Sequence, residues 1–236
     1  MKTLAIVSRK GGAGKTTIAL HLAVAAEALG IATAVFDLDP QASAILWADH
    51  RGQQFPAVVP AQAPRLAALL TQARANDAAL VILDTAPHAD GIASEAATHA
   101  DAILIPCRPS ALDLDAIGAS IRLARAVNKP AYVLINAAPV QGVETAETRT
   151  ALAGAGVELV PVVLHQRKAY AARMHEGRTA QEIEPNGKAA GEIRELMLWV
   201  CDKVRLLQSE QVTKVTRKRL KGNSNDRDPQ TTDIRR

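Results

Sequence analysis

The run Thr3-Leu4-Ala5-Ile6-Val7, followed without a break by Ser8-Arg9-Lys10-Gly11-Gly12-Ala13-Gly14-Lys15-Thr16-Thr17, decides how the rest of the chain is read. Five strand-forming residues enter a glycine-rich loop, and the loop enters a helical pattern carrying Ile18, Leu22 and Ala25. Glycine lets such a loop curl with its backbone N–H groups turned inward. The helix behind it starts with the positive end of its dipole at the same point. A nest of this kind takes phosphate. Gly11, Gly12, Ala13 and Gly14 supply the curled backbone, Lys15 reaches the β- and γ-phosphates, the Thr16 hydroxyl ligates Mg2+, and Thr17 reaches the α-phosphate. A plain strand-to-helix turn would share the glycines but has no need of Gly-Lys-Thr-Thr at this spacing.

Outward from the loop, apolar runs of strand length recur at residues 33–36, 80–83, 102–105, 131–135 and 158–160. Helical spacing fills the gaps: Leu66, Leu69, Leu70 and Ala73 follow the i, i+3, i+4, i+7 rule, and Ile117, Ile121, Ala124 and Val127 nearly do. Continuous apolar strands alternating with helices predict an α/β fold, a doubly wound, mainly parallel sheet with helices on both faces. Ligands of such sheets bind at the carboxyl ends of the strands.

Two strand ends are acidic. Period two places Asp37 and Asp39 of Val35-Phe36-Asp37-Leu38-Asp39-Pro40-Gln41 on one face, and Pro40 stops the ladder. Carboxylates there can join a Mg2+ shell or orient an attacking water. Asp39-Pro40 could equally begin a turn and cap a helix over 41–49. Leu80-Val81-Ile82-Leu83-Asp84 is an apolar strand ending in a single acid, the form in which Asp84 holds Mg2+ through water.

At 236 residues the chain fits one α/β domain, predicted over 1–205. Hydrophobic residues make up 48% and aromatic ones 3%, so the core is aliphatic and a base-stacking platform is excluded. No apolar run nears the ~20 residues of a membrane span, and the apolar start is too short for a signal-peptide core. The reading is a cytoplasmic protein. Cys107 and Cys201 lack any metal-ligand spacing and read as small buried side chains. None of the six histidines has i, i+4 metal spacing, and His88, His99 and His175 read as surface residues. Trp47 and Trp199 fall in helical patterns and read as packing groups. The net charge of +4 is uneven: residues 203–236 hold ten Lys or Arg against four Asp or Glu, notably Lys214, Arg217, Lys218, Arg219 and Lys221. This second segment, 206–236, reads as a basic, largely disordered tail, either an arm for a polyanion or a solvated terminus.

The loop departs from the general phosphate-loop pattern, since Arg9 stands where that pattern has glycine and Lys10 precedes Gly11-Gly12. Lys10-Gly11-Gly12-Ala13-Gly14-Lys15-Thr16-Thr17 resembles the deviant Walker A motif of the ParA/MinD family of ATPases. The resemblance implies that Lys10 acts in trans on nucleotide held by a second subunit, so that ATP binding makes a homodimer. The stretch at Asp37-Leu38-Asp39-Pro40-Gln41 resembles the family segment whose second Asp positions the hydrolytic water. That role falls to Asp39, and a supporting role in the Mg2+ network to Asp37. Asn136, ending a strand, stands where relatives often place an adenine-binding Asn; a strand-end turn residue would look the same. His165-Gln166-Arg167-Lys168-Ala169-Tyr170, Gly177 and Gly187-Lys188-Ala189-Ala190-Gly191-Glu192-Ile193 resemble the C-terminal part of small ParF-type plasmid partition proteins. In that subtype sequence-specific DNA binding belongs to a partner.

The resemblance thus implies a Mg2+-dependent ATP hydrolase for DNA partition, associated with the nucleoid. Its ATP dimer binds nonspecific DNA, and a centromere-binding ParB-like partner stimulates hydrolysis. Arg167, Lys168, Arg173, Lys188 and Arg194 are candidates for the DNA surface, though solvated helix charges would look the same. The other class considered is a MinD-like membrane-surface switch or another cargo-positioning ATPase. A basic amphipathic helix over 192–220 would serve the membrane form, but its apolar positions are sparse and membrane binding is not expected.

Overall fold

A computed structural model of the protein describes residues 1–154 and 157–206, with the backbone alone over 111–116. The basic tail therefore lies, apart from Leu206, outside the described residues. Among the described residues seven strands are formed: β1 (Lys2–Ile6), β2 (Thr33–Asp37), β3 (Ala57–Pro60), β4 (Leu80–Asp84), β5 (Ala102–Cys107), β6 (Ala131–Ile135) and β7 (Glu158–Leu159). Eight α-helices accompany them among the same residues: α1 (Lys15–Glu27), α2 (Ser43–Arg51), α3 (Leu66–Ala75), α4 (Asp90–His99), α5 (Ala111–Ala126), α6 (Glu144–Ala153), α7 (Ala180–Ile183) and α8 (Lys188–Lys203). The strands make one sheet in the order β3-β2-β4-β1-β5-β6-β7, every neighbouring pair parallel. This is the doubly wound sheet that the alternation predicts.

Period two sorts the strand side chains between two cores. Ala5, Val7, Phe36, Val81, Leu83, Ile103, Ile105 and Val133 share one cluster with residues of α3, α4, α5 and α6. The alternate residues, Leu4, Ile6, Val35, Leu80, Ile82, Leu104 and Leu134, are equally buried and face the other layer. There α1 packs against β2, β4, α7 and α8. Covered on both sides, α1 is buried from Ile18 through Ala26, which is why its sequence is apolar nearly all round.

Three expectations are adjusted. The strand β3 is not among the apolar runs picked out from the sequence; it follows Pro56 and ends in Pro60, and at the sheet edge proline costs no ladder bond. The second helix starts at Ser43 rather than at residue 41, because Ala42 adopts a left-handed conformation. Of the helix considered over 192–220, α8 ends at Lys203, and residues 207–220 lie outside the described residues. After Lys203, Arg205 turns left-handed at φ 53°, and the N–H of Leu206 reaches back to the carbonyl of Cys201 at 2.8 Å, a helix stop. The apolar face of α8, with Ile193, Leu196, Met197, Val200 and Cys201, is consumed by the core.

Candidate active site

Sheet register builds the site. Asp84 is the register partner of Asp37 on one side and of Ile6 on the other, so the acidic strand ends stand beside the point where β1 enters its loop. In that loop Gly14 has φ 92°, and a Cβ there would lie 2.5 Å from the Asn136 amide nitrogen. Only glycine fits this turn. Among the described residues, none of the backbone N–H groups of residues 11–17 donates to a protein acceptor, and no side chain caps the start of α1. A row of unpaired donors at a helix start is what an anion requires.

Lys15 is buried, and its ammonium donates to the Ser8 carbonyl at 3.1 Å, arching back over the loop. Burial lowers its pKa, while Asp84 and Asp39 pull the other way. Asp84 is wholly buried, and neither carboxylate oxygen has a hydrogen-bond partner. Burial pushes its pKa up to about 7, against the Thr16 hydroxyl and, more weakly, the Lys15 ammonium beside it. An ionisable group in that state is held ready for a cation. Among the described residues no group of three or more His, Cys, Asp or Glu could hold a metal by itself.

Asp37 is held by backbone donors. Its Oδ1 accepts the Asp39 N–H at 3.0 Å and its Oδ2 accepts the N–H groups of Ala44 and Ile45 at 2.9 and 3.2 Å, capping α2 from a neighbouring strand end. Asp39 stands further out, with Oδ1 closing a turn onto the Gln41 N–H at 2.9 Å. Lys10 lies in the loop and is half-buried. Asn136 donates its side-chain N–H to the Ala13 carbonyl at 2.8 Å, so this amide braces the phosphate loop.

A cavity of about 560 Å³ opens from the loop. Gly14, Thr16 and Thr17 line it on the loop side, Asn136, His165, Gln166 and Arg167 on the side of the last two strands, and Trp47 and Tyr170 further along. Arg167 lines the cavity and pairs with Glu192 at 2.7 Å. Arg173 pairs with Glu176 and Arg194 donates to the Pro185 carbonyl, both at exposed sites. Cys107 and Cys201 are both buried. Trp47 is buried in α2, and Trp199 packs edge-on to Tyr132 with ring centroids 4.9 Å apart.

Several residues that matter here carry little sequence signal. His21 is wholly buried on α1: its Nδ1–H donates to the Thr17 carbonyl at 2.8 Å and its Nε2 accepts the Ala180 N–H at 3.1 Å. Burial lowers its pKa to about 4. Arg51 forms a two-pronged pair with Glu182 at 2.7 and 3.1 Å and also donates to the Gly177 carbonyl at 2.9 Å. Glu182 closes a capping box on Thr179, and Thr-x-x-Glu is a spacing the sequence does show.

The model of the CobQ/CobB/MinD/ParA nucleotide binding domain matches residues 4–180. The chain belongs to that family. Among curated relatives of the CobQ/CobB/MinD/ParA family, it is 30% identical over 183 residues to protein ParA of Rhizobium radiobacter, covering 73% of this chain and 82% of that one. It is 28% identical over 207 residues to maintenance of carboxysome distribution protein A of Halothiobacillus neapolitanus, covering 83% and 94%. The fold is shared with the septum site-determining protein MinD of Pyrococcus horikoshii complexed with Mg-ADP, at a TM-score of 0.72 and 18% identity, covering 84% of this chain and 95% of that one. The parallel sheet is thus that of a ParA/MinD-family nucleotide-binding domain.

Proposed function

We propose that this ParA/MinD-family protein hydrolyses ATP with Mg2+, that its ATP form pairs into a homodimer bound to nonspecific DNA, and that a centromere-binding, ParB-like partner stimulates the hydrolysis. The observation that carries the reading is the buried, unpaired Asp84 carboxylate beside Lys15 and Thr16, facing a loop of unpaired N–H donors. The loop N–H groups and Lys15 hold the β- and γ-phosphates, and Thr17 holds the α-phosphate. Mg2+ held by Thr16 and Asp84 would offset the charge of the phosphate chain. Asp37 fixes the start of α2 and so the stretch carrying Asp39, which orients the attacking water. Asn136 braces the loop at the side where the adenosine must leave it. Lys10, reaching the second subunit's nucleotide, adds a cation where charge spreads in the transition state. Contributions in trans of this kind are worth about 10³–10⁵ in rate for related sites, so the unstimulated rate is low.

Nucleotide then acts as a timer, because contacts to the γ-phosphate stabilise one arrangement and their loss releases it. The likeness to a relative named for carboxysome distribution favours a second reading with the same chemistry and a different cargo. A membrane-surface switch fits less well, since the apolar face of α8 is buried. Among the described residues no helix is long and apolar enough to cross a membrane.

The test is binding of the full chain to random-sequence duplex DNA with ATP, ADP or no nucleotide across a salt series, with Lys15→Ala as control and anionic liposomes as a parallel arm. ATP-dependent, Lys15-dependent, salt-sensitive DNA binding is expected. Binding that ignores nucleotide rejects the partition reading, and ATP-dependent liposome binding without DNA binding puts the membrane switch in its place.

A further inference from the structure

We propose that Glu192 is a positioning residue that sets the nucleoside-side wall of the cavity, so that it governs affinity for the base and ribose but not for the phosphates. This rests on the nucleotide reading above. Residues 165–170 form that wall with little regular structure of their own. His165 makes one isolated parallel bridge to Ala138, and a single 3-10 turn covers Lys168–Tyr170. Besides the backbone bond from the Gln166 N–H to the Ala138 carbonyl at 2.7 Å, one carboxylate on α8 ties their side chains together. Glu192 Oε1 accepts from His165 Nδ1 at 2.8 Å and from Arg167 Nε and Nη2 at 2.9 and 2.7 Å. Its Oε2 accepts from the His165 backbone N–H at 3.1 Å and from the Tyr170 hydroxyl at 2.8 Å.

Five donors converge on a group with about four acceptor sites, so the carboxylate is saturated and has nothing left for a ligand. Its work is therefore on its neighbours. Burial opposes ionisation of Glu192, but the hydrogen bonds from Arg167, Tyr170 and His165 outweigh it and hold the carboxyl below its usual range, so it is charged at neutral pH. Three of the residues it ties down, His165, Arg167 and Tyr170, line the cavity, and Gln166 between them lines it too. The phosphates are placed by a separate device, the loop and α1. Tyr170 also sets its ring edge-on to His21 at 5.3 Å, and His21 holds the Thr17 carbonyl at the α-phosphate end. The two devices therefore meet where phosphate gives way to ribose.

The experiment is calorimetric titration of the full chain with MgATP and MgGTP, with Mg-tripolyphosphate measured as a competitor, for the wild type, Glu192→Gln and Tyr170→Phe. The amide of Glu192→Gln keeps the shape but loses the charge and presents a donor to Arg167. MgATP should bind about tenfold or more weaker, with tripolyphosphate within about twofold of wild type and the preference for ATP over GTP reduced. Tyr170→Phe keeps the ring against His21 and removes one donor, and should show the same base-specific loss at about threefold. It decides the matter alone if Glu192→Gln does not fold. Equal weakening of ATP and tripolyphosphate, or no change in either, overturns the proposal. A wild type that binds neither ligand overturns the nucleotide reading itself.

Discussion

The loop edge of the molecule and its C-terminal third hold their shapes by opposite means. At the ends of β1 and β4, among the described residues, polar groups are left wanting partners: the amides of residues 11–17 and both Asp84 oxygens, beside a desolvated Lys15. In residues 165–206 the half-buried carboxylates are amply supplied instead, Glu192 by His165, Arg167 and Tyr170, and Glu182 by Arg51 and Thr179. The first arrangement stores unpaid desolvation that a ligand can relieve. The second spends charge to order a segment with few regular elements. The contrast teaches where function and stability should separate on mutation.

The largest effect expected is at Lys15. Lys15→Ala should lower ATP turnover at least about 10²- to 10³-fold, while urea denaturation finds stability unchanged or slightly raised, since a buried cation with no carboxylate in hydrogen-bond contact is removed. A large loss of stability would break the comparison. Arg51→Ala should do the reverse, leaving Glu182 half-buried without its cation. A destabilisation of about 3 kcal/mol is expected by denaturation, with MgATP affinity nearly unchanged.

A pH dependence sharpens the same line. His21 is neutral in the fold, with its pKa lowered to about 4 against an ordinary value near 6.5 in the unfolded chain. The unfolded state therefore binds the extra proton between those values, and stability falls as the pH drops through that window. The loss from pH 7 to pH 5 should be about 2 kcal/mol. Comparison with His21→Gln isolates it: an unchanged slope in the variant would mean that other groups carry the effect. The smallest change is Thr179→Ala, which opens the capping box of α7 and should cost about 1 kcal/mol with turnover preserved.

Legibility followed the same divide. Residues 3–17 and the acid-ended strands were readable because a phosphate nest and a parallel strand are contiguous in sequence, and their spacing is their geometry. The edge strand β3 was not, because Pro56 and Pro60 signal a break and only its place at the rim of the sheet makes them harmless. Asp37 looked like Asp39, two residues away on the same face. The position of α2 drew its two oxygens onto Ala44 and Ile45, while Asp39 kept to a local turn. Arg167 looked like a surface charge because nothing local announces Glu192, 25 residues on.

The sequence by itself determined the sheet class, the glycine-rich strand–loop–helix of residues 3–17, and the acidic ends of β2 and β4 at Asp37 and Asp84. Each is a matter of neighbouring residues obeying short-range periodicity and backbone geometry. Only the tertiary structure decided that His21 would be buried and neutral, that Asp37 would cap a helix, and that Glu182 and Glu192 would anchor the C-terminal segment. Those outcomes depend on which distant groups arrive at a carboxylate or imidazole once water is excluded. A buried polar atom takes whatever partner the fold brings, and spacing along the chain does not encode which one that is.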